Sequence, residues 1–564
     1  MRPTALSLVA AGSLALSCAT TKVVKLVASG SDQELRTRPN GGAASSQRHE
    51  PPILVLALDG VSRGLLYDML RAGELPHFEE LFGGDHLAHA YLDDSLLSTL
   101  PSTTMAAWVT AMTGVTPASH GVTGNEYFIR EKRQFACPAP VSFNDAAPTL
   151  AIYTDRYLDK LAEAPTVYER LRQRDPDILI WVTMNHLFRG ADRLLLAKRT
   201  AIVNAFEGFF AKELEEHGSN KASDKVYATL DTAAVDILLS HLKSGATPDV
   251  LTLYLAGTDL YAHVASEGPD EARRMYLREV VDPQIGRVVD ALRERGVLDK
   301  TWVVSIADHG HTEVKHDAQH ALGAAGIEAG PVKILRATGF RVRPLEKDVP
   351  EHDPFSAVLA YGGAMAYVYL ADRSKCPAAT DVCPWTDMPR YEQDVLPVAD
   401  AYWKASKDGE IAPELKGTID LVLVRRPRPV DQIDAPFEVY IGGGKTMAVD
   451  AYMAEHPHPT YIDFAQRLDD LAVGVHGERA GDILLLAHDG DEKHPEDRYY
   501  FAGLYHSWHG SPSRGDSEVP LIVANKHHAA AQIGPWVRHV IGPHPRLQKV
   551  TDLLIGLREG GLGD

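Results

Sequence analysis

A chain of 564 residues is long enough to bury one large core or two of medium size. Its 45% hydrophobic content and mean hydropathy of −0.17 are those of an ordinary soluble globular protein. The 76 acidic residues outnumber the 57 basic ones, a net charge of −19, which argues against a nucleic-acid polymer as partner, because that would demand a basic face.

In chain order, a lone Arg2 precedes the apolar stretch Leu6 to Leu16, which has secretory length and is too short to span a bilayer comfortably. This predicts a signal peptide over residues 1–18 and an exported protein of the periplasm or cell envelope. Cys18 stands behind Leu14-Ala15-Leu16-Ser17, similar to a bacterial lipobox but with Leu where Ala or Ser is usual. Two readings stay open: Cys18 is lipidated and attaches the chain to a membrane, or it is incidental behind a cleaved signal. Residues 19–50 are rich in Ser, Gly, Arg and Gln without apolar periodicity, and read as a flexible tether.

After Pro51-Pro52 the character changes. Ile53 to Leu58 is a continuous apolar run, as expected of a strand buried on both faces of a parallel sheet. Similar runs recur at Ile178 to Val182, Val250 to Leu255, Trp302 to Ile306, Ile483 to Leu486 and Leu521 to Ala524. Amphipathic helical stretches lie between them, most clearly Tyr227 to Leu242 and Pro269 to Arg295. The alternation predicts an α/β fold: a doubly wound, mostly parallel central sheet with helices on both faces and an inserted cap region. Residues 51–334 and 481–564 are assigned to the core and 335–480 to the insertion, with Ala364 to Leu370 as a stretch that could still belong to the core sheet. Within the insertion, Cys376 and Cys383 close a short loop that an oxidising compartment would let form a disulfide, leaving Cys137 unpaired.

Three aspartates follow buried strands. Asp59 comes directly after Leu58, Asp308 after Ala307, and Asp259 after Leu255 and an Ala-Gly-Thr turn. In open α/β sheets the functional crevice lies outside the carboxyl ends of the strands, so all three are expected in one region. His263 follows Asp259 and His309 follows Asp308, and mixed oxygen and imidazole donors suit zinc or a similar first-row ion. Pro101-Ser102-Thr103-Thr104 opens a helix whose body is the mostly apolar Met105 to Met112. A hydroxyl there faces unpaired backbone N–H groups and the positive end of the helix dipole, which favours an alkoxide; a plain N-cap is the alternative.

Together these segments resemble the type I phosphodiesterase/nucleotide pyrophosphatase family of the alkaline phosphatase superfamily. The resemblance rests on Leu58-Asp59-Gly60, Pro101-Ser-Thr-Thr104 with Thr113-Gly114, His120-Gly121-Val122 with Asn125, Asp259-Leu-Tyr-Ala-His263, Ala307-Asp308-His309-Gly310 and Trp508-His509-Gly510, in the family order. It implies a phosphohydrolase with two divalent ions, zinc in the first place, acting on small phosphate esters of the diester or nucleotide type. Thr104 would be the nucleophile, forming a covalent phospho-threonine. Asp259, His263 and His509 would hold one ion; Asp59, Asp308, His309 and the Thr104 oxygen the other. Asn125 would donate to a phosphoryl oxygen. Sulfatases share the superfamily, but Thr104-Met-Ala-Ala lacks the Pro and Arg of their nucleophile motif.

A phosphomonoesterase of the Thr-nucleophile alkaline phosphatase type is the alternative. Those enzymes place a Lys and an Arg two residues apart on the phosphate; here Arg189 fills the second position and Leu187 the first, which leans towards diesters. Tyr127 and Phe128, close behind Asn125, are candidates to stack on a base or aryl group. A catalytically inactive envelope binding protein would be expected to have lost ligands, yet all seven candidate positions are filled. His311, His316 and His320 read as a solvated loop, with His311 or Glu313 as outer partners of the centre. Gly442-Gly443-Gly444-Lys445-Thr446 lacks the first glycine of a phosphate loop.

Overall fold

The aliphatic runs pair as their double-sided burial requires. The computed structural model describes residues 32–35, 50–212, 224–243, 246–428, 436–491 and 493–562; the apolar stretch 6–16, Cys18 and most of the 19–50 tether lie outside them. Eight strands form the main sheet, in the order Asp32–Glu34, Arg193–Leu195, Ile180–Thr183, Val250–Leu255, Ile53–Leu58, Trp302–Ala307, Leu521–Ala524, Ala90–Asp93. The five from Arg193–Leu195 to Trp302–Ala307 run parallel, and antiparallel strands flank them on either side. This is the mostly parallel, helix-flanked α/β architecture that the sequence predicts.

Register places the strand ends. Leu58 is paired with Leu255 on one side and Ala307 on the other, so three neighbouring strands end level. The residues next in the chain leave the sheet at one edge, where a crevice is geometrically required.

A second, wholly antiparallel sheet of six strands occupies residues 357–487, in the order Ala357–Gly362, Met365–Leu370, Ile483–Ala487, Ile419–Val424, Glu438–Gly442, Lys445–Ala448. Two stretches belong here and not to the main sheet: Met365–Leu370, and Ile483–Ala487, whose apolar run had suggested a core strand. All residues of both are buried, and a strand covered on both faces has the same sequence signature in either sheet. Gly442, Gly443 and Gly444 form a hairpin turn at positive φ between the last two strands, which accounts for that glycine run without a phosphate. Cys376 and Cys383 are joined in a disulfide, and Cys137 is free and buried.

The two sheets meet near the crevice. The turn after Ala357–Gly362 packs on the segment Trp508–Gly510: Ala364 N–H donates to the His509 carbonyl at 3.2 Å, and a Cβ on Gly510 (φ +107°) would fall 2.4 Å from the Gly362 carbonyl. Only glycine tolerates that approach. The second sheet thus sets the position of a loop bearing a candidate ligand.

Candidate metal centre and active site

Asp59 and Asp308 leave their strands directly into the crevice, and both are almost fully buried. Asp259 and His263 lie one turn apart on the helix Gly257–Val264, which puts both side chains on one face; His263 Nε2 is 3.5 Å from Asp259 Oδ1. His309 follows Asp308, and its Nε2 is 3.3 Å from Asp308 Oδ2, 3.5 Å from Asp59 Oδ1 and 3.9 Å from Asp259 Oδ1. His509 arrives from the far end of the chain directly after the short strand Ser507–Trp508, which pairs with Thr312–Glu313, and its ring stacks on that of His309 at 3.6 Å. Gly60 (φ +68°) lets the groups converge, because a Cβ there would lie 2.8 Å from the Asp259 Cβ and 2.8 Å from His311 Nε2.

Two groups of donor atoms result, each mutually within 4.8 Å: Asp59, Asp308 and His309 in one, and Asp259, His309, His311 and His509 in the other. They meet at His309. Asp59 Oδ1 and Asp308 Oδ2 are buried without a hydrogen-bond partner. Burial, then repulsion from a neighbouring carboxylate, pushes Asp59, Asp259 and Asp308 well above the ordinary carboxylate range. Burial, then nearby histidines, pushes His263, His309 and His311 well below theirs, and burial takes His509 down to about 4. Three crowded carboxylates and four neutral imidazoles in one dry spot, two oxygens unpaired, form a donor set that divalent cations complete. The residues fit a two-metal centre.

Thr104 is the first residue of the helix Thr104–Thr113, and its hydroxyl lies 3.1 Å from His309 Nε2. Asn125 Oδ1 accepts a hydrogen bond from Met105 N–H at 3.0 Å. That engagement leaves the Asn125 amide N–H groups as the end available to the cavity. His120 holds the Asn125 loop to the helix: Val122 N–H donates to His120 Nδ1 at 3.1 Å, and His120 Nε2 is 2.9 Å from Thr110 Oγ1.

The cavity above Thr104 is bordered by Asp59, Asn125, Asp259, His263 and His509 on its polar side. Its remaining walls are largely apolar, including Val141, Phe206, Phe209, Phe210, Leu260 and Trp508. No Lys or Arg is among the described residues that line it.

Three sequence-predicted site residues lie elsewhere. Arg189 spends its guanidinium on Glu169 (3.1 Å) and on the carbonyls of Asp159 (2.6 Å), Ala162 (2.8 Å) and Ala164, a structural clasp. Its neighbour Leu187 is fully buried in the core, and His186 lines the cavity instead. Tyr127 and Phe128 are buried in a hairpin strand outside the lining; the Phe128 ring packs on Trp385 at 4.7 Å. Residue type and proximity to Asn125 suggested them, but the strand buries both away from the cavity, with Phe128 against Tyr369 of the second sheet.

Others were not singled out, or, like His311, were read only as outer partners of the centre. Tyr254 donates its hydroxyl to Asp59 Oδ2, and the hint was a polar aromatic near the end of an otherwise aliphatic strand. Phe206, Phe209 and Phe210 sit on the helix Arg199–Lys212, with no sequence signal for their place over the site. His311 is buried with Nε2 2.6 Å from Asp259 Oδ1, not on a solvated loop.

Fold and site together define a phosphoesterase scaffold of the alkaline phosphatase superfamily with candidate metal clusters. The chain belongs to the type I phosphodiesterase/nucleotide pyrophosphatase family, which it matches over residues 53–367. Among solved structures it is similar to murine ectonucleotide pyrophosphatase/phosphodiesterase 5, at 12% identity over 90% of this chain and 95% of that one, with TM-scores of 0.46 for an inactive form in complex with AMP and 0.45 for a second structure. Family membership implies a hydrolase of small phosphate esters.

Proposed function

We propose that this protein hydrolyses phosphodiesters carrying an apolar substituent, through a covalent phospho-Thr104 and with two divalent ions, zinc in the first place. The observation that carries the reading is the Thr104 hydroxyl at a helix start, 3.1 Å from the imidazole shared by both donor groups. Asp259, His263 and His509 would hold one ion, and Asp59, Asp308, His309 and Thr104 the other. Bound ions would supply the positive charge that favours the Thr104 alkoxide and neutralises the attacking and leaving oxygens of an in-line displacement.

The chain's own part is orientation and exclusion of water. Thr104 Oγ1 gives up its proton to solvent and bonds to phosphorus as the bond to the leaving-group oxygen breaks; that oxygen keeps the bonding pair and takes a proton from water. Water then attacks phosphorus and loses a proton, the Thr104 Oγ1–P bond breaks with its electron pair staying on Oγ1, which is reprotonated, and a phosphomonoester leaves. Asn125 donates an amide N–H to a non-bridging oxygen, held for it by the Met105 N–H. Diesters are favoured over monoesters because a dianion would find no Lys or Arg in the described lining. The phenylalanine walls favour an aryl, base or alkyl substituent.

One panel tests this: a bis-aryl phosphate, an aryl monophosphate, an aryl phosphonate monoester and an aryl sulfate, each with zinc supplied, followed by acid quench and peptide mass analysis. The expected result is diester preference and a phosphoryl adduct on Thr104. Clear preference for the monoester would move the protein to the Thr-dependent alkaline phosphatases. We also propose export to the cell envelope; if Cys18 is lipidated, Cys18→Ser should move the protein from the membrane to the soluble fraction.

A further inference from the structure

We infer that His311 is itself a metal ligand, a further imidazole on the ion assigned to Asp259, His263 and His509. The inference rests on the two-metal reading above and extends it to a residue outside the ligand pattern that the sequence suggests.

Hydrogen positions point to this role. His263 Nδ1 is 2.8 Å from the Ser507 carbonyl, His309 Nδ1 is 3.0 Å from the Gly310 carbonyl, and His509 Nδ1 is 2.9 Å from the Ser102 carbonyl. A carbonyl can only accept, so each Nδ1 carries the proton and each Nε2 presents a lone pair. His311 reaches the same state by another route. Ser507 Oγ donates its one hydrogen to the Ala262 carbonyl at 2.8 Å, and lies 3.0 Å from His311 Nδ1. With that hydrogen committed, Ser507 Oγ accepts from His311 Nδ1–H, and His311 Nε2 is left with a lone pair.

That lone pair faces Asp259 Oδ1 at 2.6 Å, in a place where the His311 side chain has no exposure. Two acceptors so close in a dry site repel each other unless a proton or a metal cation lies between them, and in the loaded centre the metal takes the proton's place. His311 is the nearest imidazole to that oxygen: His263 is at 3.5 Å, and His309 and His509 are both at 3.9 Å. It also belongs to the compact donor group with Asp259, His309 and His509.

The local fold is built to hold it there. His311 immediately precedes the strand Thr312–Glu313, whose pairing with Ser507–Trp508 fixes it against His509. Thr312 Oγ1 is anchored on Asp516 at 3.0 Å, and Gly60 leaves room for the ring. The consequence is an asymmetric centre. The Asp259 ion would have a nitrogen-rich set suited to zinc, the Asp59/Asp308 ion an oxygen-rich one, so a chelator should remove the second first. Zinc can expand to five ligands, so a fourth protein donor still leaves a position for substrate.

The test compares wild type, His311→Ala and His311→Gln, with folding monitored by circular dichroism. Each is loaded with zinc, dialysed against graded dipicolinate and assayed for metal content; each is also loaded with cobalt(II) for its visible spectrum. Wild type should hold two equivalents and lose them in two steps. Both variants should lose the more tightly held equivalent at chelator concentrations lower by about tenfold or more, with altered cobalt band intensity. Gln can still place an amide N–H against Asp259; a Gln variant with wild-type retention and spectrum would mean a hydrogen-bonding role and overturn the inference. Wild type binding fewer than two ions would instead bring down the two-metal reading, and this inference with it.

Discussion

Thr104 and His309 are brought within 3.1 Å by elements more than two hundred residues apart, a helix start and the residue after a strand-end aspartate. The hydroxyl meets the imidazole where both donor groups overlap, so the proposed nucleophile and the candidate metal centre form one unit. Thr104→Ala should therefore fold and bind two ions while turnover falls by several orders of magnitude. Metal content and steady-state rates on a bis-aryl phosphate measure both; near-wild-type turnover in a metal-loaded variant would move the nucleophile to Ser102 or Thr103.

Asn125 offers a graded test. Removing one donor aimed at developing negative charge typically reduces kcat about a hundredfold or more. Asn125→Ala should do so with a smaller change in KM. Asn125→Asp can still accept from Met105 N–H but puts a carboxylate against the phosphoryl group, so it should be the slower of the two. Equal rates for wild type and Asn125→Asp would place Asn125 outside the reaction.

Arg189 gives the opposite expectation. Its hydrogen bonds all serve the chain, so Arg189→Ala should lower stability by about 2 kcal/mol, through carbonyls left unpaired. The ratio of monoester to diester kcat/KM should stay at the wild-type value. A selective loss of monoesterase activity would show instead that the guanidinium reaches substrate.

Metal removal should have a pH signature. The three aspartates ionise less readily in the metal-free fold than in the unfolded chain, so they support that fold at acid pH and cease to as pH rises through their raised values. The four histidines are depressed, so their support is present above the ordinary histidine range and fades as pH falls towards about 4, the value for His509. Above the ordinary histidine range the histidine contribution is constant. The Tm difference between zinc-loaded and metal-free protein should therefore widen as pH rises through the raised carboxylate values, since ligated carboxylates no longer repel. A gap that narrows as pH rises would contradict the assignment of these aspartates.

The apolar wall makes a prediction for substrate choice. Phe206→Ala should lower kcat/KM for a bis-aryl phosphate by about tenfold, with little effect on a dimethyl ester, because only the ring loses burial. Equal losses on both esters would indicate damage to the site in place of lost contact.

The local grammar was legible in the residue order alone: aliphatic runs long enough for strands buried on both faces, and an aspartate placed at or just beyond the end of three of them. Parallel pairing then aligns those ends, which is why Asp59, Asp308 and Asp259 group together on sequence grounds. Their motif order also carried the family. The tertiary structure decided everything that depends on which way a side chain turns. Ile483–Ala487 reads the same in either sheet, and only long-range antiparallel pairing assigns it to the second. Arg189 looked free to meet a phosphate until the carbonyls of Asp159, Ala162 and Ala164 were found around it. His311 looked like part of a wet loop, because its burial comes from Ser507, more than 190 residues away in the chain, and from the space that Gly60 leaves. Periodicity reports what a residue needs from its neighbours; which neighbours supply it is a property of the packed chain.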